Sequence, residues 1–384
     1  MSDPKAAPAS LAAQAMGWVD PVTKAVVPPI HMASTYLRDE DNAYRSGRIY
    51  ARADNPTFDQ AEATLAALEG GAKALVFSSG MSAATACFLA LQPGDHVVAP
   101  KVMYWALRNW LGSFATRWGL AVDFVDADRT DAIAAAVRPG ATKLVWIETP
   151  ANPTWIVTDI AAAADIAHRA GARLAVDSTV GTPVLTRPIE LGADIVMHSA
   201  TKYLNGHSDL IAGALAGARE DDYWTSLRTI RAQLGMILGQ TEAWLLLRGM
   251  RTLFPRVLWA CRSAESLAER LAGHPMIAEV LYPGLPAFAG HEVAKRQMKG
   301  GFGGMLSVRV KGGEAAAIGT AARVALWKRA TSLGGVESLI EHRASIEGPG
   351  TPCPADLLRL SVGVEDAADL FDDLDQALRR AHNG

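Results

Sequence analysis

Lys202 lies in the run Ser199-Ala-Thr-Lys-Tyr-Leu-Asn-Gly-His-Ser-Asp209, directly after the apolar stretch Asp194-Ile-Val-Met-His198. A lysine amine at the polar end of a buried strand can form an imine with a carbonyl compound. Ser199 and Thr201 flank it on alternate positions, so on an extended strand both hydroxyls turn toward one anion. Ser79-Gly80-Met81-Ser82 offers a second anion site, because it follows the apolar run Leu75-Val-Phe77 and opens a helical pattern reaching about Leu91. A glycine there lets the backbone approach closely, and the free N–H groups of a helix start attract an anion. An ordinary strand-to-helix turn capped by Ser79 is the plainer alternative. Tyr50-Ala-Arg52 adds a guanidinium suited to bidentate phosphate binding, beside a phenol.

Asp177 closes the apolar run Leu174-Ala-Val176, and a carboxylate buried there needs a partner. A protonated pyridine nitrogen is one, and the positive ring then accepts the electrons released when a bond at Cα breaks. A strand-end aspartate capping the next turn is the other reading. Tyr104, after the run His96-Val-Val-Ala99, can stack on a ring face or join the core. An imine-forming lysine, a phosphate cradle and a carboxylate for a ring nitrogen together point to pyridoxal phosphate.

These residues need a frame. Residues 58–218 alternate helical patterns with short apolar runs, of which Leu144-Val-Trp-Ile147 and Ile195-Val-Met197 are further examples. Continuous rather than alternating apolarity marks strands covered on both faces, so the expectation is α/β with a mostly parallel sheet. Its ligand crevice lies at the carboxyl ends of the strands, where Ser78, Ser79, Glu148, Asp177 and Ser199 would converge. Residues 1–55 lack periodicity and read as an N-terminal arm, 56–247 as the cofactor-binding domain and 248–384 as a smaller C-terminal α/β domain. The latter holds a helix near 256–272 and strands Met305–Arg309 and Leu358–Val362.

Composition limits the partners. A chain of 384 residues with 49% hydrophobic and 20% charged residues has ample core, and its net charge of -3 gives no basic field for nucleic acid or an anionic membrane. Three cysteines, widely separated, make neither a disulfide framework nor a metal site, and no histidine cluster suggests a metal. No long apolar run and no leader-like start is present, so the expected setting is the cytoplasm. Neither a Gly-x-Gly-x-x-Gly after the first strand nor a Walker-type lysine supports a nucleotide-binding protein.

The chain resembles the Cys/Met-metabolism (trans-sulfuration) family of pyridoxal-phosphate enzymes over nearly its whole length. The likeness is carried by Tyr50-Ala-Arg-Ala-Asp-Asn-Pro-Thr57, Ser79-Gly-Met81, Glu148-Thr-Pro-Ala-Asn-Pro153, the Lys202 run, Ser332-Leu-Gly-Gly-Val-Glu-Ser338 and Arg359-Leu-Ser-Val-Gly363. The resemblance implies a fold-type I transferase with a seven-stranded sheet. It implies that Lys202 carries the cofactor, Asp177 meets the pyridine nitrogen and Tyr104 stacks on the ring. Gly80, Met81, Ser199 and Thr201 would hold the phosphate, joined by Tyr50 and Arg52 of a neighbouring subunit, in a homotetramer built as a dimer of dimers. Arg359 would clamp the carboxylate of a small amino-acid substrate, helped by Asn152 and the Ser332 region; a surface strand arginine is the alternative for Arg359.

Leu333 stands where many bacterial β-lyases resemble one another in carrying tryptophan, and Asn205-Gly-His-Ser-Asp-Leu-Ile-Ala-Gly213 leans the same way, toward cystathionine γ-synthase or γ-lyase. A cystathionine β-lyase giving pyruvate, or a γ-lyase for another γ-substituted amino acid, is the alternative. Trp105-Ala106 departs from the glycine and cysteine of methionine γ-lyases, and His342–Gly350 departs from the relatives' Met-Thr-His run. Glu347 or Glu337 is expected to face the distal end of the substrate. His198 should point away from the cofactor and His207 should hydrogen-bond within its turn.

Overall fold

The computed structural model describes residues 6–348 and 351–382, so the first five residues of the arm and Pro349-Gly350 of the 342–350 loop lie outside the described residues. Seven strands form the larger sheet: β1 (Lys73–Phe77), β2 (His96–Pro100), β3 (Ala121–Val125), β4 (Thr142–Glu148), β5 (Arg173–Asp177), β6 (Ile195–His198) and β7 (Gly213–Gly217). Their order is β1-β7-β6-β5-β4-β2-β3, and only β7 runs antiparallel to its neighbours. The expected mostly parallel sheet is present, and the expected apolar runs are the cores of β1, β2, β4, β5 and β6. The direction of strand addition reverses between β2 and β4, the kind of point where open α/β sheets bind ligands.

Two strands of this larger sheet escaped the sequence reading for opposite reasons. β3 is the sheet's edge and is only half buried, so its apolar signal is diluted by Asp123. β7 is wholly buried but reads Gly-Ala-Leu-Ala-Gly. Its glycines are steric necessities: a Cβ on Gly213 would come within 2.0 Å of the Ser79 carbonyl oxygen, and one on Gly217 within 2.6 Å of the Trp224 ring.

Helices cover the sheet. α1 (Pro8–Ala13) is a short turn of helix inside the segment expected to be an aperiodic arm, and it buries Ala12 beside α2 (Pro56–Glu69). Six residues are too few to show a helical period. Beyond it the arm leaves Val22, Met32, Leu37 and Ile49 exposed. Asn55 caps α2 by accepting the Thr57 N–H, and Gly70 ends it with a left-handed φ of 68°. α3 (Gly80–Leu89) is capped by Ser79, whose hydroxyl accepts the Ser82 N–H at 3.0 Å.

A second sheet follows, made of β8 (Ile277–Leu281), β9 (Met305–Val310), β10 (Lys328–Arg329), β11 (Leu339–His342) and β12 (Leu357–Ser361) in the order β10-β11-β12-β9-β8. The helices Leu253–Ala272 and Ala367–His382 pack on it through Leu267, Leu271, Leu370 and Leu374. Among the described residues no helix is long and apolar enough to cross a membrane.

Candidate active site

The carboxyl ends of β4, β5 and β6 open into one cavity of about 280 Å³. Gly80, Met81, Tyr104, Asn152, Asp177, Ser199, Thr201, Lys202 and Leu333 line it together, although they span more than half the chain. Ser332 and Arg359 stand behind that wall, bonded to its members. Tyr50 and Arg52 do not reach the cavity of their own chain; Tyr50 is half exposed and the Arg52 guanidinium donates to the Ala232 carbonyl.

β6 ends at His198, so Ser199 to Lys202 occupy a turn rather than the strand continuation expected of them. The chain turns there because the Lys202 N–H reaches back to the Ser199 carbonyl at 3.0 Å and the Gly206 N–H to that of Lys202 at 2.8 Å. The turn still brings both flanking hydroxyls to the cavity, but not equally. Thr201 Oγ1 accepts the Ala212 N–H at 2.9 Å and donates to the Ala212 carbonyl at 3.1 Å, so its hydroxyl is engaged on both sides. Ser199 faces the start of α3 so closely that a Cβ on Gly80 would lie 2.8 Å from its Oγ.

The Lys202 Nζ donates to Ser332 Oγ at 2.8 Å. Burial, with the Arg359 guanidinium nearby, pushes this amine down from 10.5 to about 8, which makes the neutral base accessible. Ser332 holds a φ of 102°, a conformation rare outside glycine. Its carbonyl accepts a bond of 2.8 Å from Arg359, which anchors that strained backbone.

Asp177 ends β5 with its Oδ1 accepting the Thr179 N–H at 3.0 Å. Burial raises its carboxyl, and the Thr179 contacts offset part of the rise. Thr179 also accepts the Ser199 N–H through Oγ1 at 2.8 Å, tying the ends of β5 and β6 together. Glu148 ends β4 in register with Asp177 and lines the cavity, as its place at the end of an apolar run led us to expect, although the sequence assigned it no role. Its Oε2 accepts the Tyr104 N–H at 2.7 Å and its Oε1 the Asn152 N–H at 2.9 Å. Burial first, then Asp177, lift its carboxyl to about 8.

Arg359 is a buried residue of β12, 3% exposed, which removes the surface-arginine alternative. It donates to Asn152 Oδ1 at 3.2 Å and to Glu341 Oε2 at 2.6 Å, and Arg343 shares the same Glu341 oxygen at 2.8 Å. Burial, then the Arg343 charge, lowers Arg359 to about 10. Glu341 and Arg343 are further residues the sequence reading passed over. Glu347 is spent on this network: its oxygens take Arg343 at 3.1 Å and the Thr351 hydroxyl at 2.5 Å, and it does not line the cavity. Glu337 accepts from the Ser208 hydroxyl and also lies outside the cavity lining. Trp105 meets Tyr104 edge-on at 6.3 Å, off the lining. His198 pairs with buried Glu69 at 2.5 Å, away from the cavity lining, and His207 bonds the Asn205 carbonyl at 2.8 Å.

One cavity therefore combines a low-lying amine, a buried carboxylate, a helix start beside a hydroxyl, and a guanidinium behind the wall. Such a set can hold a ring with an anionic arm at one end and a basic nitrogen at the other.

Comparison with known proteins agrees. The family model described as "Cys/Met metabolism PLP-dependent enzyme" matches residues 9–379. A cystathionine gamma-synthase of Mycobacterium tuberculosis is 45% identical over 378 residues, 97% of this chain and 96% of that one. An L-methionine gamma-lyase of Porphyromonas gingivalis is 42% identical over 369 residues, covering 91% and 92%. The crystal structure of cystathionine gamma synthase from Xanthomonas oryzae pv. oryzae, in complex with aminoacrylate and cysteine, superposes with a TM-score of 0.93 at 38% identity, covering 98% of this chain and 99% of that one.

Proposed function

Because the chain belongs to the Cys/Met-metabolism family of PLP-dependent enzymes, we propose that it acts at Cγ of a sulfur amino acid, as a cystathionine γ-synthase or γ-lyase does. The observation that carries this reading is the Lys202 amine, lowered to about 8 and bonded to Ser332, in one cavity with Asp177 and backed by Arg359. The likeness to a cystathionine gamma-synthase and to a methionine gamma-lyase supports chemistry at Cγ.

The residues fit pyridoxal phosphate. Asp177 is a buried carboxylate whose cost a cationic ring nitrogen offsets, and the missing Cβ of Gly80 leaves room where Ser199 and the start of α3 meet. When bound, the cofactor supplies an electron sink for a pair released at Cα. Lys202 would hold it through its side-chain amine. With a substrate bound, that amine can take the Cα proton and, from the same face, move a proton at Cβ so that the group on Cγ can leave. Arg359 clamps the substrate carboxylate with Asn152 beside it, while Ser332 orients the lysine and Leu333 gives an apolar wall. Tyr104 would cover the ring, and Gly80, Met81, Ser199 and Thr201 would hold the phosphate.

Tyr50 and Arg52 complete the phosphate site of a neighbouring subunit, in a cytoplasmic homotetramer of two such dimers. The exposure of Tyr50, outside its own chain's cavity, supports this arrangement. The test is mass spectrometry of the products formed from cystathionine. 2-Oxobutyrate with cysteine is expected; pyruvate with homocysteine would overturn the Cγ assignment. Cystathionine formed from cysteine and a γ-activated homoserine would mark replacement beside elimination.

A further inference from the structure

Glu148 is a buried carboxylate that none of these steps uses. Its register partner across β4 and β5 is Asp177, and adjacent strands lie about 4.8 Å apart, so two acidic residues share the cavity floor. Such a pair is unfavourable: burial first, then the Asp177 charge, raise Glu148 to about 8, with Glu347 adding a smaller like charge. What stands against that cost is geometric. One oxygen takes the N–H of Tyr104, in the segment after β2, at 2.7 Å, and the other takes the N–H of Asn152, in the turn after β4, at 2.9 Å. Asn152 in turn accepts from Arg359 at 3.2 Å. A single side chain thus joins the residue over the ring to the residue beside the substrate clamp.

We propose that Glu148 is a positioning residue whose two carboxylate oxygens set the spacing between Tyr104 and the Asn152–Arg359 pair, and so align substrate with cofactor. The proposal rests on the Cγ reading above and adds a residue to it. Glutamine at 148 keeps one acceptor and turns an N–H-bearing amide toward the other backbone donor, so one of the two braces is lost. An aspartate is too short to span both.

The test uses purified holoenzyme of the wild type, Glu148→Gln and Glu148→Asp, with steady-state kinetics, visible circular dichroism of the bound cofactor and thermal melting. Leaving one buried backbone N–H without its acceptor corresponds to roughly a 10- to 100-fold effect. It should appear in KM with kcat within about threefold, because binding geometry rather than the proton carrier is disturbed. The visible dichroic band should shrink as Tyr104 loses its hold on the ring, and aspartate should be no better than glutamine. The role is overturned if a folded Glu148→Gln keeps the wild-type KM and band. It is equally overturned if activity falls only in step with the folded fraction. A wild type that takes up no pyridoxal phosphate would overturn the functional reading itself, which separates the two failures.

Discussion

A lysine amine bonds to an aldehyde only as the neutral base, so the ionisation of Lys202 sets how fast the protein takes up its cofactor. Near pH 7, an amine lowered to about 8 is neutral in about one molecule in ten, against about three in ten thousand for lysine at its ordinary 10.5. The perturbation is pH itself, applied to cofactor-stripped protein mixed rapidly with pyridoxal phosphate and followed by the imine band at roughly 420 nm. The uptake rate should climb about tenfold per pH unit and level off above about 8. A rate that keeps climbing tenfold per unit to about pH 10 would refute the reasoning, because Lys202 would then be an ordinary solvated lysine.

The cause of the shift can be tested by the same assay. Burial is the larger contribution and the Arg359 charge the next, so Arg359→Met removes a cation that disfavours the ammonium form. The amine should rise and the plateau move to higher pH. Removing the anion by Glu341→Gln should move it the other way, since Glu341 favours the charged amine. If both variants leave the plateau in place, the electrostatic coupling through the Arg359 network is wrong.

Asp177→Asn keeps an oxygen for the Thr179 N–H but removes the anion, and cofactor affinity measured by fluorescence titration should weaken by about 10- to 100-fold. Gly80→Ala places a Cβ 2.8 Å from Ser199 Oγ. That overpacking should cost about 1–3 kcal/mol, visible as a lowered melting temperature together with weaker cofactor retention. Arg52→Ala and Lys202→Ala should each be inactive, yet their co-expression should restore activity at roughly a quarter of the sites if the arginine serves a symmetric partner. No restoration would return Arg52 to its own chain.

Some of this protein was legible in its sequence, because some positions leave chemistry or burial no choice. Strands β1, β2, β4, β5 and β6 are packed on both faces, so their cores must be apolar, and Lys202 and Asp177 announce themselves as reactive side chains at the ends of such runs. The same logic hides β3, an edge strand partly open to solvent, and β7, where close packing against Ser79 and Trp224 requires glycine instead of bulk. Beyond local caps and turns such as those of Ser79 and His207, what side chains do with their hydrogen bonds was not legible. Only the folded chain decides that the Thr201 hydroxyl is engaged by Ala212, that Arg359 meets Asn152 from 207 residues away, and that Glu148 reaches Tyr104 across 44. A hydrogen bond is fixed by distance and angle within tenths of an ångström, and residue type alone carries no record of which distant partner will arrive there.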